Sequence, residues 1–144
     1  MKFSVLLFFI SFSILITNSS SAQSKDEAAI RKILSAQSND WNAGNVEAFM
    51  SGYWKSDSLM FIGKNGINYG WDKTLANYKK GYPDTVSMGK LSFDLLEFKR
   101  LSDTHYFVVG KWHLKRSIGD IGGAFTLVFR KINGKWLIIA DHSS

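Results

Sequence analysis

The sequence predicts an α+β domain in which N-terminal helices pack on the concave face of a curved, cone-shaped antiparallel sheet. Three observations carry this reading. Apolar residues recur at helical spacing through the first half of the chain, as in Ile30, Ile33, Leu34, Gln37 and Trp41. From Leu91 onward they alternate with period two, the signature of strands with one buried face. At Leu95-Leu96 the alternation slips by one residue, which reads as a β-bulge that bends and twists the sheet.

The chain has 144 residues, 45% of them hydrophobic and 15% aromatic, enough for one domain with a packed core. Its first residues have the layout of a secretory signal peptide. Lys2 is followed by an apolar run from Phe3 to Ile16, and Ser20-Ser21-Ala22 places small residues before a cut after Ala22. The run is shorter than the ~20 residues a membrane span needs, and no basic stop-transfer segment follows. Residues 1–22 are therefore expected to be removed, leaving a domain over 23–144 that is periplasmic or secreted, with no stable membrane anchor. The full chain carries +6 and the leader only Lys2, so the mature part carries 6 − 1 = +5. Its basic residues are scattered, which argues against nucleic acid as a partner. There is no cysteine, which excludes thiol chemistry and an N-terminal lipid on cysteine.

Ser24 and Glu27 have capping-box spacing and predict the start of the first helix. Gly44 predicts its end, and Asn45 the cap of a short second helix with Val46, Phe49 and Met50. Leu59 to Ile62 reads as a short strand, Gly63 to Gly70 as a turn with a possible strand at Ile67 to Tyr69, and Trp71 to Lys80 as a third helix closed by Pro83-Asp84. Leu91 to Phe98 and His105 to Lys115 read as strands, and Ser117 to Gly123 as a flexible connection. Asn133-Gly134 then predicts a type I′ hairpin between Phe125–Ile132 and Lys135–His142. Its register places Val128 opposite Ile139, Thr126 opposite Asp141 and Phe125 opposite His142. In that phase His142 joins the inward apolar face of Phe125, Leu127, Phe129, Ile138 and Ala140, while Asp141 faces outward.

In order and spacing, several stretches resemble the nuclear transport factor 2-like superfamily, also called SnoaL-like, and within it the branch catalogued as domain of unknown function 4440. They are Trp41 to Phe49, the Gly70-Trp71-Asp72 helix start, Tyr78 to Pro83, Gly110-Lys111-Trp112, Phe125 to Lys131, and Trp136 to the terminal Asp141-His142-Ser143-Ser144. The resemblance spans essentially the whole mature chain. It implies a cone-shaped pocket and dimers formed through the sheet. It implies no single activity, because members include isomerases, cyclases, dehydratases, hydrolases and domains that only bind or oligomerise.

No nucleophile motif, phosphate loop or metal-ligand spacing is present, and the sequence implies no metal and no cofactor. His142 is the candidate catalytic residue, since imidazole exchanges a proton near neutral pH; its bland alternative is to close the end of the hairpin. Trp41, Tyr53, Trp54, Trp71, Tyr78, Tyr82, Trp112, Phe125 and His142 are the candidate ligand-binding residues, weighed against rings that only fill a core. The function expected is an exported domain that binds a small apolar or aromatic molecule and dimerises through its sheet. The alternative is a ketosteroid-isomerase-like or dehydratase-like enzyme with His142 as acid or base.

Overall fold

The computed structural model describes residues 18–144, with side chains from Lys25 onward. The proposed leader up to Thr17 lies outside the described residues. Helix α1 spans Asn18–Asn42, α2 Val46–Phe49, α3 Trp71–Gly81 and α4 Thr85–Met88. The strands are β1 Met60–Gly63, β2 Gly66–Tyr69, β3 Lys90–Ser102, β4 His105–Lys115, β5 Ile121–Ile132 and β6 Lys135–Ser143. They form one sheet in the order β2-β1-β6-β5-β4-β3. All pairs are antiparallel except β1 with β6, which run parallel. The sheet is thus mixed rather than wholly antiparallel. The parallel pair is possible because the long path through β2, α3, α4, β3, β4 and β5 returns β6 in the direction of β1.

Helix α1 starts earlier than Ser24, so Ser24 and Glu27 lie inside it. It ends as expected. Gly44 adopts φ 79°, its N–H bonds to the Trp41 carbonyl at 2.8 Å, and the Asn45 N–H bonds to the Asp40 carbonyl at 2.9 Å. Those two bonds are a Schellman motif, which satisfies carbonyls that the helix end would leave bare. Asn45 caps α2 by accepting the Ala48 N–H at 3.0 Å. The inward stripe of α1 is as the periodicity predicts: Ile30, Leu34, Gln37 and Trp41 are buried. The polar member, Gln37, donates to the Phe49 carbonyl at 3.1 Å, so its burial is compensated.

Helix α4 was not expected from the sequence. Asp84 accepts the Ser87 N–H at 2.7 Å and closes a reciprocal capping box. Only one turn long, it is too short to show a helical period. Strand β3 bulges between Leu95 and Glu97, where the sequence slips, and the extra Leu96 is left 59% exposed.

The β5–β6 hairpin turns through Asn133 and Gly134, at φ 48° and 77°. The register next to it is as predicted: Ile132 with Lys135, Lys131 with Trp136, Arg130 with Leu137, Phe129 with Ile138. Between Val128 and Phe129 it shifts, and Val128 pairs with Ala140 instead of Ile139. Ile139 is the extra residue of a second bulge. Every residue after it changes face relative to the expected phase.

Candidate functional site

The bulge at Ile139 decides which polar group enters the interior. Leu127 pairs with Asp141, Thr126 with His142 and Phe125 with Ser143. Leu127 and Phe125 are 4% exposed and face the helices. Asp141 comes inward with them, at 4% exposure, and His142 is turned to the exposed outer face. This corrects the expected positions of both residues. His142 has no access to the interior and is neither a cavity acid or base nor a lining residue there. The two neighbours do lie on opposite faces, as alternation requires.

A carboxyl buried among rings needs donors, and three elements bring them. Tyr53, just after α2, donates to Asp141 Oδ2 at 2.7 Å. It is held there by its bridge to Ile138 and by the Trp54 N–H, which bonds to the Ile138 carbonyl at 2.9 Å. Ser143, next but one along β6, donates to Oδ1 at 2.7 Å. The hydroxyl of Tyr78, from α3, interacts with that of Tyr53. Burial pushes the Asp141 carboxyl up to about 6. The bonds from Tyr53 and Ser143 and the charge of His142 pull the other way without cancelling it. Tyr53 and Tyr78 are both raised, first by burial and then by the Asp141 charge, so both stay protonated donors.

The rings pack around this group. Trp41 meets Phe49, Tyr78 and Tyr82 edge-on at centroid distances of 5.1, 5.8 and 4.9 Å. Tyr78 also meets Phe49 at 5.3 Å and Phe61 at 5.7 Å. Of the sequence-predicted residues, Trp41, Tyr53, Tyr78 and Tyr82 therefore belong to one cluster. Trp71 flanks it, half-buried, and donates to the Met50 carbonyl at 2.9 Å. Trp112 and Phe125 lie on the same inward face further along the sheet, where Phe125 packs on Phe93 at 5.5 Å. The Trp112 indole N–H is buried and has no hydrogen-bond partner among the described residues. Trp54 is half-buried outside the main core cluster. Trp41 and Tyr53 are almost wholly buried, so these rings fill the interior, with Trp41 also lining one surface cleft. Two surface clefts, of about 430 and 330 Å³, lie elsewhere, and Asp141 lines neither.

The other histidines are peripheral. His113 Nε2 sits 3.3 Å from Asp94 on the outer face, and His105 bonds to Thr104 at 3.0 Å in the β3–β4 turn. Among the described residues no group of three or more His, Asp or Glu side chains is placed to hold a metal ion, and no helix is long and apolar enough to cross a membrane.

The sequence alone gave Asp141 an outward place. The spacing did show that Asp141 and Ser143, two apart, share one strand face, so an acceptor and its donor stand together whichever way that face turns. Tyr53 is too distant in sequence to be assigned to them without the fold.

No protein-family model and no curated protein matches this chain. Solved structures do. An NTF-2-like protein of unknown function from Shewanella oneidensis MR-1 is 44% identical, with 83% of this chain and 98% of that one covered and a TM-score of 0.80. A nuclear transport factor 2 (NTF2-like) superfamily protein from Salmonella enterica serovar Typhimurium is 18% identical, covering 86% of this chain and 92% of its own, with a TM-score of 0.64. A ketosteroid isomerase-like protein from Erwinia carotovora atroseptica is 18% identical, covering 81% and 93%, with a TM-score of 0.61. The latter two share the fold. The identity and coverage of the Shewanella protein go further, and with the mixed six-stranded sheet they place this chain in the NTF2-like family.

Proposed function

We propose that this protein is an exported, homodimeric domain that takes a small apolar or aromatic molecule into its cone and recognises it through Asp141, Tyr53 and Tyr78. One observation carries the reading: a carboxyl is buried among aromatic rings with no cation bonded to it among the described residues. A core built for stability alone does better with an apolar side chain there, because an ionised group loses its hydration on burial. The half-buried Tyr78 and Tyr82 are the rings that would move to admit a ligand, while Trp41, Phe49 and Tyr53 are buried at the centre of the packing. The reading needs no metal or cofactor.

The assembly rests on the outer sheet face. Phe107, Val109, Val128, Leu137 and Ile139 are each half-exposed there. Val128 lies between Phe107 and Ala140 in the ladder, so the patch is contiguous. Arg130 and, in place of Asp141, His142 supply the polar groups beside it. Such a patch meets itself across a two-fold axis.

A second reading is favoured by the pKa of Asp141 at about 6. A carboxyl poised near neutrality exchanges protons efficiently, so an isomerase- or dehydratase-like activity would use Asp141 as base, not His142. Tyr78 would then donate to the oxygen on which charge develops.

Native mass spectrometry of protein purified from its own host tests the reading. The expected species is a dimer of chains beginning at Gln23, each carrying a small molecule released on unfolding. Val128→Asp should give monomers that still carry it. Unmodified protein found as a monomer contradicts the assembly. A dimer with no carried molecule, and no uptake of added aromatic compounds, contradicts the binding function.

A further inference from the structure

The cleft of about 330 Å³ lies where the C-terminal end of α1, α4 and the β4–β5 connection meet. It shares only Trp41 with the aromatic cluster around Asp141. Lys90, Lys115 and Arg116 line it and no carboxylate does. Lys90 is engaged with the Asn42 carbonyl at 2.8 Å. Arg116 is held differently. Its Nε donates to the Gly119 carbonyl at 2.7 Å and Nη1 reaches the Ser87 carbonyl at 3.4 Å, while its backbone N–H bonds to Asp120 at 2.8 Å. Two neutral carbonyls fix the guanidinium plane without neutralising its charge.

Gly89 makes this placement possible. A Cβ there would stand 2.4 Å from Arg116 Cγ and 2.4 Å from the Lys115 carbonyl oxygen, and the residue sits at φ 62°. The Arg116 stem therefore runs through space that only glycine leaves free. The rest of the lining mixes polar Asn42, Thr85 and Ser117 with apolar side chains. Met88 is buried at the base, Trp41 presents its ring, and Val86 is 50% exposed. Ile118, 59% exposed, stands in the same connection as Arg116. A fixed cation beside the exposed Val86, over a base of buried Met88 and Trp41, matches a ligand with one anionic end and an apolar body.

We propose that this cleft binds a small amphiphilic carboxylate, with its anionic group on Arg116 and Lys115 and its apolar body on Val86, Met88 and Trp41. The site is separate from the Asp141 cluster and stands whether or not that cluster binds a ligand. Benzoate, benzyl alcohol and inorganic phosphate are the probes, followed by amide and arginine Nε NMR signals. Benzoate should shift the Gly89 amide and the Arg116 Nε signals saturably in the millimolar range. Benzyl alcohol and phosphate, which each lack one half of the recognition, should bind roughly tenfold or more weaker. Arg116→Gln should weaken benzoate by roughly tenfold or more, and Lys115→Gln by less, because a flexible ammonium contributes less than a fixed fork. Lys99→Ala removes a charge from the exposed face of β3 and should change nothing. The undisturbed remainder of the spectrum shows that each variant is folded. Absence of saturation, equal binding of benzoate by Arg116→Gln, or phosphate binding as tightly as benzoate overturns the proposal.

Discussion

Asp141→Asn should stabilise the fold at pH 8 by about 3 kcal/mol and leave stability at pH 4 nearly unchanged. The folded carboxyl titrates at about 6, against 3.8 for an ordinary aspartate. Below the lower value both folded and unfolded chains hold the proton, and the buried group costs nothing through ionisation. As pH rises, the unfolded chain releases its proton first, and folding must then rebind it or bury a charge. The stabilisation present at low pH is lost across the window from about 4 to about 6 and stays lost above it. A difference of about two units at about 1.4 kcal/mol each gives the expected size. Asparagine is uncharged throughout, keeps an oxygen for the Tyr53 hydroxyl, and lets Ser143 rotate its hydroxyl to accept from the amide. Denaturant unfolding of both proteins at the two pH values measures the effect. The same substitution removes the proton-exchanging group, so on either functional reading greater stability comes with weaker function.

Trp41→Ala should cost about 3–5 kcal/mol, the range for deleting a large buried ring. Trp41 is 3% exposed and touches Phe49, Tyr78 and Tyr82, and its indole N–H donates to the Met88 carbonyl at 3.1 Å. Its loss opens an apolar cavity next to two tyrosines that can move, and such a cavity accepts an apolar guest. Added indole should therefore raise the melting temperature of the variant and leave the parent unchanged. A variant as stable as the parent would mean that the ring is not the hub of the interior.

Much of the fold could be read from residues because local chemistry agreed with it. The Gly44 stop, the Asn45 cap, the Asn133-Gly134 turn and the full extent of β4 each rest on a neighbour a few positions away. The bulge in β3 was visible because Asp94 and Glu97 flank the slip, so polar residues mark where the phase changes. The bulge in β6 had no such mark. Leu137, Ile138, Ile139 and Ala140 are all apolar, and an uninterrupted apolar run hides its own phase. That single silent residue exchanged Asp141 for His142 in the interior. The parallel pairing of β1 with β6 is set by tertiary packing, and no local pattern encodes it. For α4, the Asp84 to Ser87 spacing was the available signal, masked by the β-branched pair Thr85-Val86 within the turn.

Asp141, not His142, is the acidic group turned into the interior, and burial holds its carboxyl near neutrality. Protein labelled with 13C at aspartate Cγ, titrated by NMR and assigned with Asp141→Asn, measures this directly. The Asp141 resonance should titrate with a midpoint of about 6. A midpoint at the ordinary value of 3.8 would place Asp141 in water and contradict the register shift at Ile139 that turns it inward.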